Sequence, residues 1–155
     1  MNIRKKLYIA YGSNLNMRQM KKRCPDARLL YVGELRNWGL VFRGSHTGSY
    51  ATIYRKKGSI VPVGVWEISG KDEKNLDRYE GYPTFYHKQN VFVTLQDGSR
   101  TKGMVYIMRK DALPGRPSEF YVDTIRQGYI DTGLDLDYLD KFLFQNWQEM
   151  RRGIF

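Results

Sequence analysis

The stretch Leu7-Tyr8-Ile9-Ala10-Tyr11-Gly12-Ser13-Asn14-Leu15 determines how we interpret the rest of the chain. Its first residues are mostly apolar and predict a short buried strand that breaks at Gly12. Polar residues that cap helix N-termini well come next, and Met17 to Arg23 predicts one or two helical turns. When a strand turns through a glycine into a capped helix start, several backbone N–H groups point in the same direction. Such a group of donors suits a carboxylate or an oxyanion. A plain strand-turn-helix corner is the alternative.

Length and composition place the chain among ordinary globular proteins. Its 155 residues, 41% hydrophobic and 14% aromatic, predict one domain over residues 1–155. No apolar run approaches the roughly 20 residues that span a bilayer, and none fits a signal peptide, so we expect no membrane partner and a cytoplasmic location. The single cysteine, Cys24, cannot form an internal disulfide and is expected to be a small buried residue. Since only His46 and His87 accompany it, the sequence predicts no metal site and no cofactor.

Positive charge is concentrated in the first part of the chain. The formal net charge is +10, and residues 1–60 contain 13 of the 26 basic residues but two of the 16 acidic ones. Such an excess is typical of proteins that bind nucleic acid or another anionic partner. The clusters Lys21-Lys22-Arg23 and Arg55-Lys56-Lys57 are short, and no nucleic-acid fold signature accompanies them. We therefore favour a solvated basic face and keep nucleic-acid binding as the alternative.

Hairpin spacing dominates the rest of the pattern. Strands are predicted at 28–33, 38–42, 51–54, 61–68, 86–95 and 102–108. Turn-forming residues predict a mobile loop at 44–49, turns at 57–59 and 96–99, and a linker at 114–117. Helices are predicted from Ser69 to Gly81, over 119–132, and over 136–151. Because no βαβ alternation is visible, the pattern favours an α+β fold with a mostly antiparallel sheet that can curl into a barrel.

Glu80 is the second feature that we single out, because it ends a predicted helix among aromatic residues. A carboxylate is disfavoured at a helix C-terminus, where the helix dipole is negative. Its neighbours along the chain include Tyr79, Tyr82 and Phe85. A carboxyl group placed against rings and away from water has a raised pKa, as a general acid and base requires. The alternative is an exposed glutamate at a frayed helix end.

Several motifs resemble those of one protein family, in the same order and spacing. The run Tyr11-Gly12-Ser13-Asn14-Leu15 matches a YGSN-L signature after the first strand. The run Leu76-Asp77-Arg78-Tyr79-Glu80-Gly81 resembles a helix end whose glutamate precedes a glycine. A C-terminal helical stretch is matched by Pro117-Ser118-Glu119-Phe120-Tyr121 and by Gly133-Leu134 with Tyr138. Over nearly its whole length the chain is similar to the γ-glutamylcyclotransferases and their AIG2-like relatives.

The resemblance implies both a fold and a reaction. The fold would be a small mixed, mostly antiparallel β-barrel with flanking helices. The protein would be a cyclising transferase or lyase acting on a small γ-glutamyl amine, amino acid or peptide. The substrate's own α-amine would attack its γ-carbonyl and release 5-oxoproline, with Glu80 as general acid and base. The substrate would be bound through the backbone of Tyr11, Gly12, Ser13, Asn14 and Leu15.

Three tyrosines match family positions at the pocket, namely Tyr86, Tyr106 and Tyr121. Their phenols would donate hydrogen bonds to the substrate, and packing in the core is the alternative. Many relatives have arginine where this chain has Lys88, and lysine lacks the bidentate fork, so substrate choice can differ.

The sequence leaves other questions open. A binding module that retains the pocket without catalysis is the alternative to an enzyme, and nucleic-acid binding is a third hypothesis. Neither the leaving group nor the oligomeric state follows from the sequence.

Overall fold

The computed structural model describes residues 5–45 and 48–151, in which five strands close into a barrel. The five barrel strands are β1 (Lys6–Ala10), β2 (Arg28–Ser45), β3 (Gly48–Ile68), β4 (Tyr86–Leu95) and β5 (Arg100–Met108). A short sixth strand, β6 (Leu113–Pro114), pairs with β2. The hydrogen-bonded order is β3-β1-β5-β4-β2, and a further pairing of β2 with β3 closes the ring. Every pairing in the described ranges is antiparallel except the parallel pair β1–β5. The predicted mixed barrel is confirmed.

Within the described residues, four α-helices flank the barrel, and their ends follow the predicted capping residues. They are α1 (Met17–Arg23), α2 (Gly70–Glu80), α3 (Glu119–Thr132) and α4 (Leu136–Arg151). The Ser69 side chain accepts from Asp72 N–H while the Asp72 carboxylate accepts from Ser69 N–H, which forms the capping box at the start of α2. Gly81 and Gly133 end α2 and α3 in left-handed conformation, with φ of 66° and 74°. None of the helices in the described ranges is long and apolar enough to cross a membrane.

Strands β2 and β3 form one long hairpin, where the sequence predicted four shorter strands. They pair from Arg28 with Glu67 to Ser45 with Gly48. The predicted turn at 57–59 is wrong, because these residues form an irregularity within β3. Trp38 pairs with Arg55 and Arg36 pairs with Ile60, so four residues of β3 lie opposite one residue of β2. Gly58 is therefore part of a β-bulge, and the local sequence does not distinguish such a bulge from a turn.

Two other loop predictions are corrected by pairing between distant residues. In the predicted mobile loop, Gly44 pairs with Ser49 at the end of the β2–β3 hairpin, while His46 and Thr47 lie outside the described residues. In the predicted linker, Pro114 is part of β6 and pairs with Arg43 of β2. Glycine and proline predicted irregular backbone at both places, but a partner strand supplies the hydrogen bonds that order it.

Two glycines allow the barrel and α3 to approach the turn after β1. A Cβ at Gly64 would lie 3.1 Å from Leu15 Cδ2. A Cβ at Gly128 on α3 would lie 2.8 Å from Leu15 Cβ and 2.8 Å from Asn16 N. Asn16 also caps α1, accepting from Gln19 N–H, and its amide nitrogen donates to Thr124 O of α3 at 3.1 Å. The turn is thus fixed between the barrel wall and one face of α3.

Cys24, which follows α1, is buried with 1% of its surface exposed. Its thiol contacts the Asp72 carbonyl at 3.7 Å, and burial raises its pKa to about 12. The prediction of a small buried residue is confirmed, and the thiol is chemically inert near neutral pH.

Candidate active site

One cavity of about 300 Å³ lies at the end of β1, between the turn that follows it and the C-terminus of α2. Its wall is formed by Tyr8, Tyr11, Gly12, Ser13, Asn14, Tyr50, Ala51, Tyr79, Glu80, Phe85, Tyr86, Tyr106 and Tyr121. Glu80 is the one charged side chain among these described wall residues. A small, mostly aromatic cavity with a few convergent polar groups is typical of a site for a small molecule.

The turn after β1, which we call the glycine corner (residues 11–14), lines this cavity and has backbone donors free of acceptors among the described residues. A single 3₁₀ turn follows Gly12, in which Leu15 N–H donates to Gly12 O and Asn16 N–H donates to Ser13 O, each at 3.0 Å. The amides of Gly12, Ser13 and Asn14 precede these bonds and have no acceptor within the described part of the chain. Three neighbouring donors of this kind suit a carboxylate or an oxyanion.

Gly12 leaves little room for a side chain. A Cβ there would lie 3.3 Å from Ala51 Cβ and 3.4 Å from the Tyr121 hydroxyl. Any side chain larger than a methyl group would therefore enter the space between the corner and α3. This is the physical reason for glycine in the motif, where the backbone must approach a ligand closely.

Side-chain contacts fix the orientation of the corner. The Asn14 amide nitrogen donates to the Tyr8 hydroxyl at 2.8 Å, and its carbonyl oxygen accepts from the Arg23 guanidinium. The same nitrogen of Arg23 also donates to Ser13 Oγ at 3.3 Å. The Arg23 guanidinium in turn lies over the Tyr79 ring, 3.6 Å from its centroid. Arg23 thus joins the corner to the end of α2.

Glu80 lines the same cavity as the glycine corner. The residue keeps some exposed surface, yet its carboxyl group lies deep enough that burial raises its pKa to about 7, while the Arg23 charge opposes that rise. Within residues 5–45 and 48–151, no protein donor is hydrogen-bonded to this carboxyl group. Glu80 is therefore available to a ligand and titrates near neutral pH, and the raised pKa expected from the sequence is present.

The tyrosine hydroxyls around the cavity differ in whether their oxygen remains free as an acceptor or their hydrogen remains free as a donor. Tyr11 donates to Tyr106 O at 2.8 Å, and Tyr86 donates to Ala51 O at 2.9 Å, so their hydroxyl oxygens remain as acceptors. The Tyr121 hydroxyl instead accepts from Ala51 N–H at 3.0 Å, and its own hydrogen has no acceptor in the described ranges. Burial raises the pKa of all these phenols, which keeps them neutral.

Tyr106 connects the cavity wall to a group of charges behind it. Its hydroxyl donates to Asp77 Oδ1 at 2.6 Å, and Lys88 contacts that carboxylate at 2.7 Å and Glu73 at 2.8 Å. Lys88 is not a wall residue, so it influences the cavity through Asp77 and Tyr106. These ion pairs raise the pKa of Lys88 and lower that of Glu73, although burial acts in the opposite direction on each.

The structure brings together all but one of the residues that the sequence singled out. Leu15 is fully buried against Gly64 and Gly128 and does not line the cavity, and its N–H is already bonded to Gly12. Its contribution is to anchor the corner through packing.

Two wall residues, and one residue that contacts the wall without being part of it, were not identified as site residues from the sequence. Tyr50 and Ala51 come from the β2–β3 hairpin, and no local pattern marks them. Arg23 was assigned to a basic cluster, but its neighbours Lys21 and Lys22 are exposed while it turns inward. The signal that the sequence offers for Arg23 is its position as the last residue of α1.

Comparison with known proteins connects this geometry to one family. The family model described as gamma-glutamyl cyclotransferase, AIG2-like, matches residues 8–124. The chain is 32% identical over 144 residues to the gamma-glutamylcyclotransferase of Homo sapiens, covering 87% of this chain and 76% of that protein. It is 33% identical to the Bos taurus gamma-glutamylcyclotransferase over the same shares of the two chains.

A solved structure shows the same fold. The structure titled gamma-glutamyl cyclotransferase superimposes with a TM-score of 0.83 and 31% sequence identity, covering 90% of this chain and 86% of that one. YkqA from Bacillus subtilis, with a TM-score of 0.77 and 19% identity, is similar in fold alone.

Proposed function

Because the chain belongs to the AIG2-like γ-glutamyl cyclotransferase family and is an enzyme of that family, we propose that it cleaves a γ-glutamyl compound and releases 5-oxoproline. The observation that carries this proposal is that Glu80, with a pKa of about 7, shares one small cavity with the free amides of the glycine corner. The wall thus combines a titrating base and a set of backbone donors suited to an anion in one small cavity.

The substrate supplies its own nucleophile in this reaction. Glu80 accepts a proton from the substrate α-ammonium, and the freed amine attacks the γ-carbonyl carbon to form the ring C–N bond. The electron pair of the carbonyl bond moves to oxygen and then returns as the bond to the leaving nitrogen breaks. Glu80 gives its proton to that nitrogen, and the ring nitrogen passes its second proton to the departing amine. 5-Oxoproline and an ammonium group therefore leave, and Glu80 is a carboxylate again. A pKa near neutrality suits both proton transfers.

The reaction also requires a particular shape of the substrate. Ring closure requires the α-amine to fold back to within contact distance of the γ-carbonyl carbon. A cavity of about 300 Å³ has room for a glutamyl group in this folded shape. Holding two reacting groups together in this way supplies a large part of the rate enhancement in intramolecular reactions.

The polar groups of the wall divide into two sets. The amides of Gly12 to Asn14 and the Tyr121 hydroxyl are donors, and they bind either the substrate α-carboxylate or the oxyanion that develops on the γ-carbonyl. The hydroxyl oxygens of Tyr11 and Tyr86 are acceptors, and they receive hydrogens of the α-ammonium beside Glu80. Loss of a donor that binds the carboxylate raises KM, whereas loss of an oxyanion donor lowers kcat.

A screen for 5-oxoproline tests the proposed chemistry. Candidate substrates are γ-glutamyl amino acids, glutathione-like peptides, γ-glutamyl-lysine and γ-glutamyl amines, with products identified by mass spectrometry. We expect 5-oxoproline and the free amine in equal amounts from at least one of them. The matched control substrate carries an acetyl group on the α-nitrogen, which removes the nucleophile and should abolish turnover.

Two results would contradict the proposal. One is release of glutamate, which would show that water attacks the γ-carbonyl. The other is binding of γ-glutamyl compounds, measured by calorimetry, with no product from any of them, which would favour the non-catalytic binding module.

A further inference from the structure

Arg23 is the one cation that contacts both sides of the cavity within the described residues. On one side its guanidinium nitrogen donates to Asn14 Oδ1 and to Ser13 Oγ. On the other side the guanidinium plane lies over the Tyr79 ring at 3.6 Å, and Tyr79 immediately precedes Glu80. The side chain therefore spans from the anion-binding corner to the helix end that carries the proposed base.

The backbone of Arg23 is also fixed to α2. Its carbonyl accepts from the Asn75 side chain at 3.0 Å, which ties the C-terminus of α1 to the middle of α2. Since Asn14 is in turn bonded to Tyr8, a continuous set of contacts runs from β1 through Arg23 to α2. A residue that only packed at this point would not need a hydrogen-bonding cation.

We propose that Arg23 is a positioning residue, which holds the glycine corner and the Glu80 helix end in the relative geometry that the reaction requires. The proposal rests on the proposed function of the cavity. Arg23 is not a wall residue, so it acts through Ser13, Asn14 and Tyr79 and not through contact with the substrate.

The charge of Arg23 gives the proposal a distinctive readout. The titratable groups that interact with Glu80 are Tyr8 of β1, Tyr11 of the glycine corner, Tyr86 of β4, Tyr121 of α3 and Arg23 of α1. The phenols are neutral because burial raises their pKa, so Arg23 is the charged member of this set. It favours the Glu80 carboxylate, and its removal should raise the pKa of Glu80 further above 7.

The experiment compares the pH profiles of kcat/KM for the wild type and for Arg23→Gln. We expect the limb on which activity rises with pH to move to higher pH, and kcat/KM at pH 7 to fall about tenfold or more. The matched control is Lys22→Gln, which removes an exposed charge from the same helix and should leave the limb in place. An unmoved limb in Arg23→Gln, or an equal shift in Lys22→Gln, would overturn the proposal.

Arg23→Lys separates charge from shape and covers the case in which Arg23→Gln does not fold. Lysine keeps the charge but lacks the flat guanidinium that stacks on Tyr79. We expect the pH limb to stay near its wild-type position while KM rises several-fold, and an unchanged KM would refute the positioning role.

The proposed function is tested separately by Glu80→Gln. If that variant remains active, the proposed function itself fails. If it is inactive and the Arg23 variants behave like wild type, the positioning role alone fails.

Discussion

Replacing Glu80 by glutamine should make the protein more stable at neutral and alkaline pH while changing little at pH 5. The folded-state pKa of Glu80 is about 7, against an ordinary value of 4.5. The folded state therefore holds this proton more tightly than the unfolded state does. The stabilisation from that proton is fully present below about pH 4.5 and is lost as pH rises towards 7.

The magnitude follows from the same two values. At about 1.4 kcal/mol per pH unit, the change from 4.5 to about 7 corresponds to about 3 kcal/mol in the free energy of unfolding. Solvent in the cavity screens part of this, so we expect the wild type to lose between about 1 and 3 kcal/mol relative to Glu80→Gln from pH 5 to pH 8. Glutamine has nearly the same shape and carries no charge, so packing effects largely cancel in this pH-dependent difference.

Urea unfolding of both proteins at pH 5, 6, 7 and 8 measures this difference. The matched control is Glu149→Gln, which removes an exposed glutamate on α4 and should retain the wild-type pH dependence. A difference between wild type and Glu80→Gln that does not vary with pH would refute the reasoning, because it would mean that the Glu80 carboxyl group is not protonated preferentially in the folded state.

Two further substitutions test how the cavity wall is built. Gly128→Ala should destabilise the protein by about 1–3 kcal/mol in urea unfolding, because a methyl group there would lie 2.8 Å from atoms of Leu15 and Asn16. An unchanged midpoint of urea unfolding would show that α3 does not pack tightly against this turn. Tyr121→Phe should lower kcat/KM by about tenfold in steady-state kinetics, because it removes a phenol hydrogen that has no acceptor among the described residues and can donate to the substrate. Tyr106→Phe should lower kcat/KM less, since that hydroxyl donates to Asp77. Equal effects of the two substitutions would show that the free phenol hydrogen of Tyr121 does not bind the substrate.

Helix boundaries could be predicted from the sequence because their determinants are local. Ser69 with Asp72 begins α2, and Gly81 and Gly133 end α2 and α3. In each case a side chain or a left-handed glycine satisfies backbone groups within one helical turn. Interactions over so few residues are visible in the sequence itself.

The length of the β2–β3 hairpin could not be predicted in the same way. Gly58, Gly44 and Pro114 predict breaks when each is considered with its neighbours alone. In the structure the partner strand supplies hydrogen bonds across these places, and the extra residues near Gly58 are accommodated as a bulge. Such pairing depends on residues distant in the sequence, which a local pattern does not contain.

The candidate site also has some features that depend on local sequence and others that depend on distant residues. The glycine corner and Glu80 each follow from a local motif, and their meeting in one cavity was expected only through the family resemblance. Arg23 could not be assigned, because its contacts with Ser13 and Tyr79 depend on how α1 packs against α2. A basic residue beside two other basic residues is indistinguishable by sequence from an exposed one.

The most direct test of the account is 5-oxoproline release by Glu80→Gln on the substrate that the wild type turns over best. Glutamine preserves the shape of the cavity but accepts no proton from the α-ammonium, so we predict a loss of kcat of at least about a hundredfold. Glu149→Gln should keep wild-type kcat in the same assay. A Glu80→Gln protein that is folded and releases 5-oxoproline at near wild-type rates would contradict the assignment of Glu80 as the general acid and base.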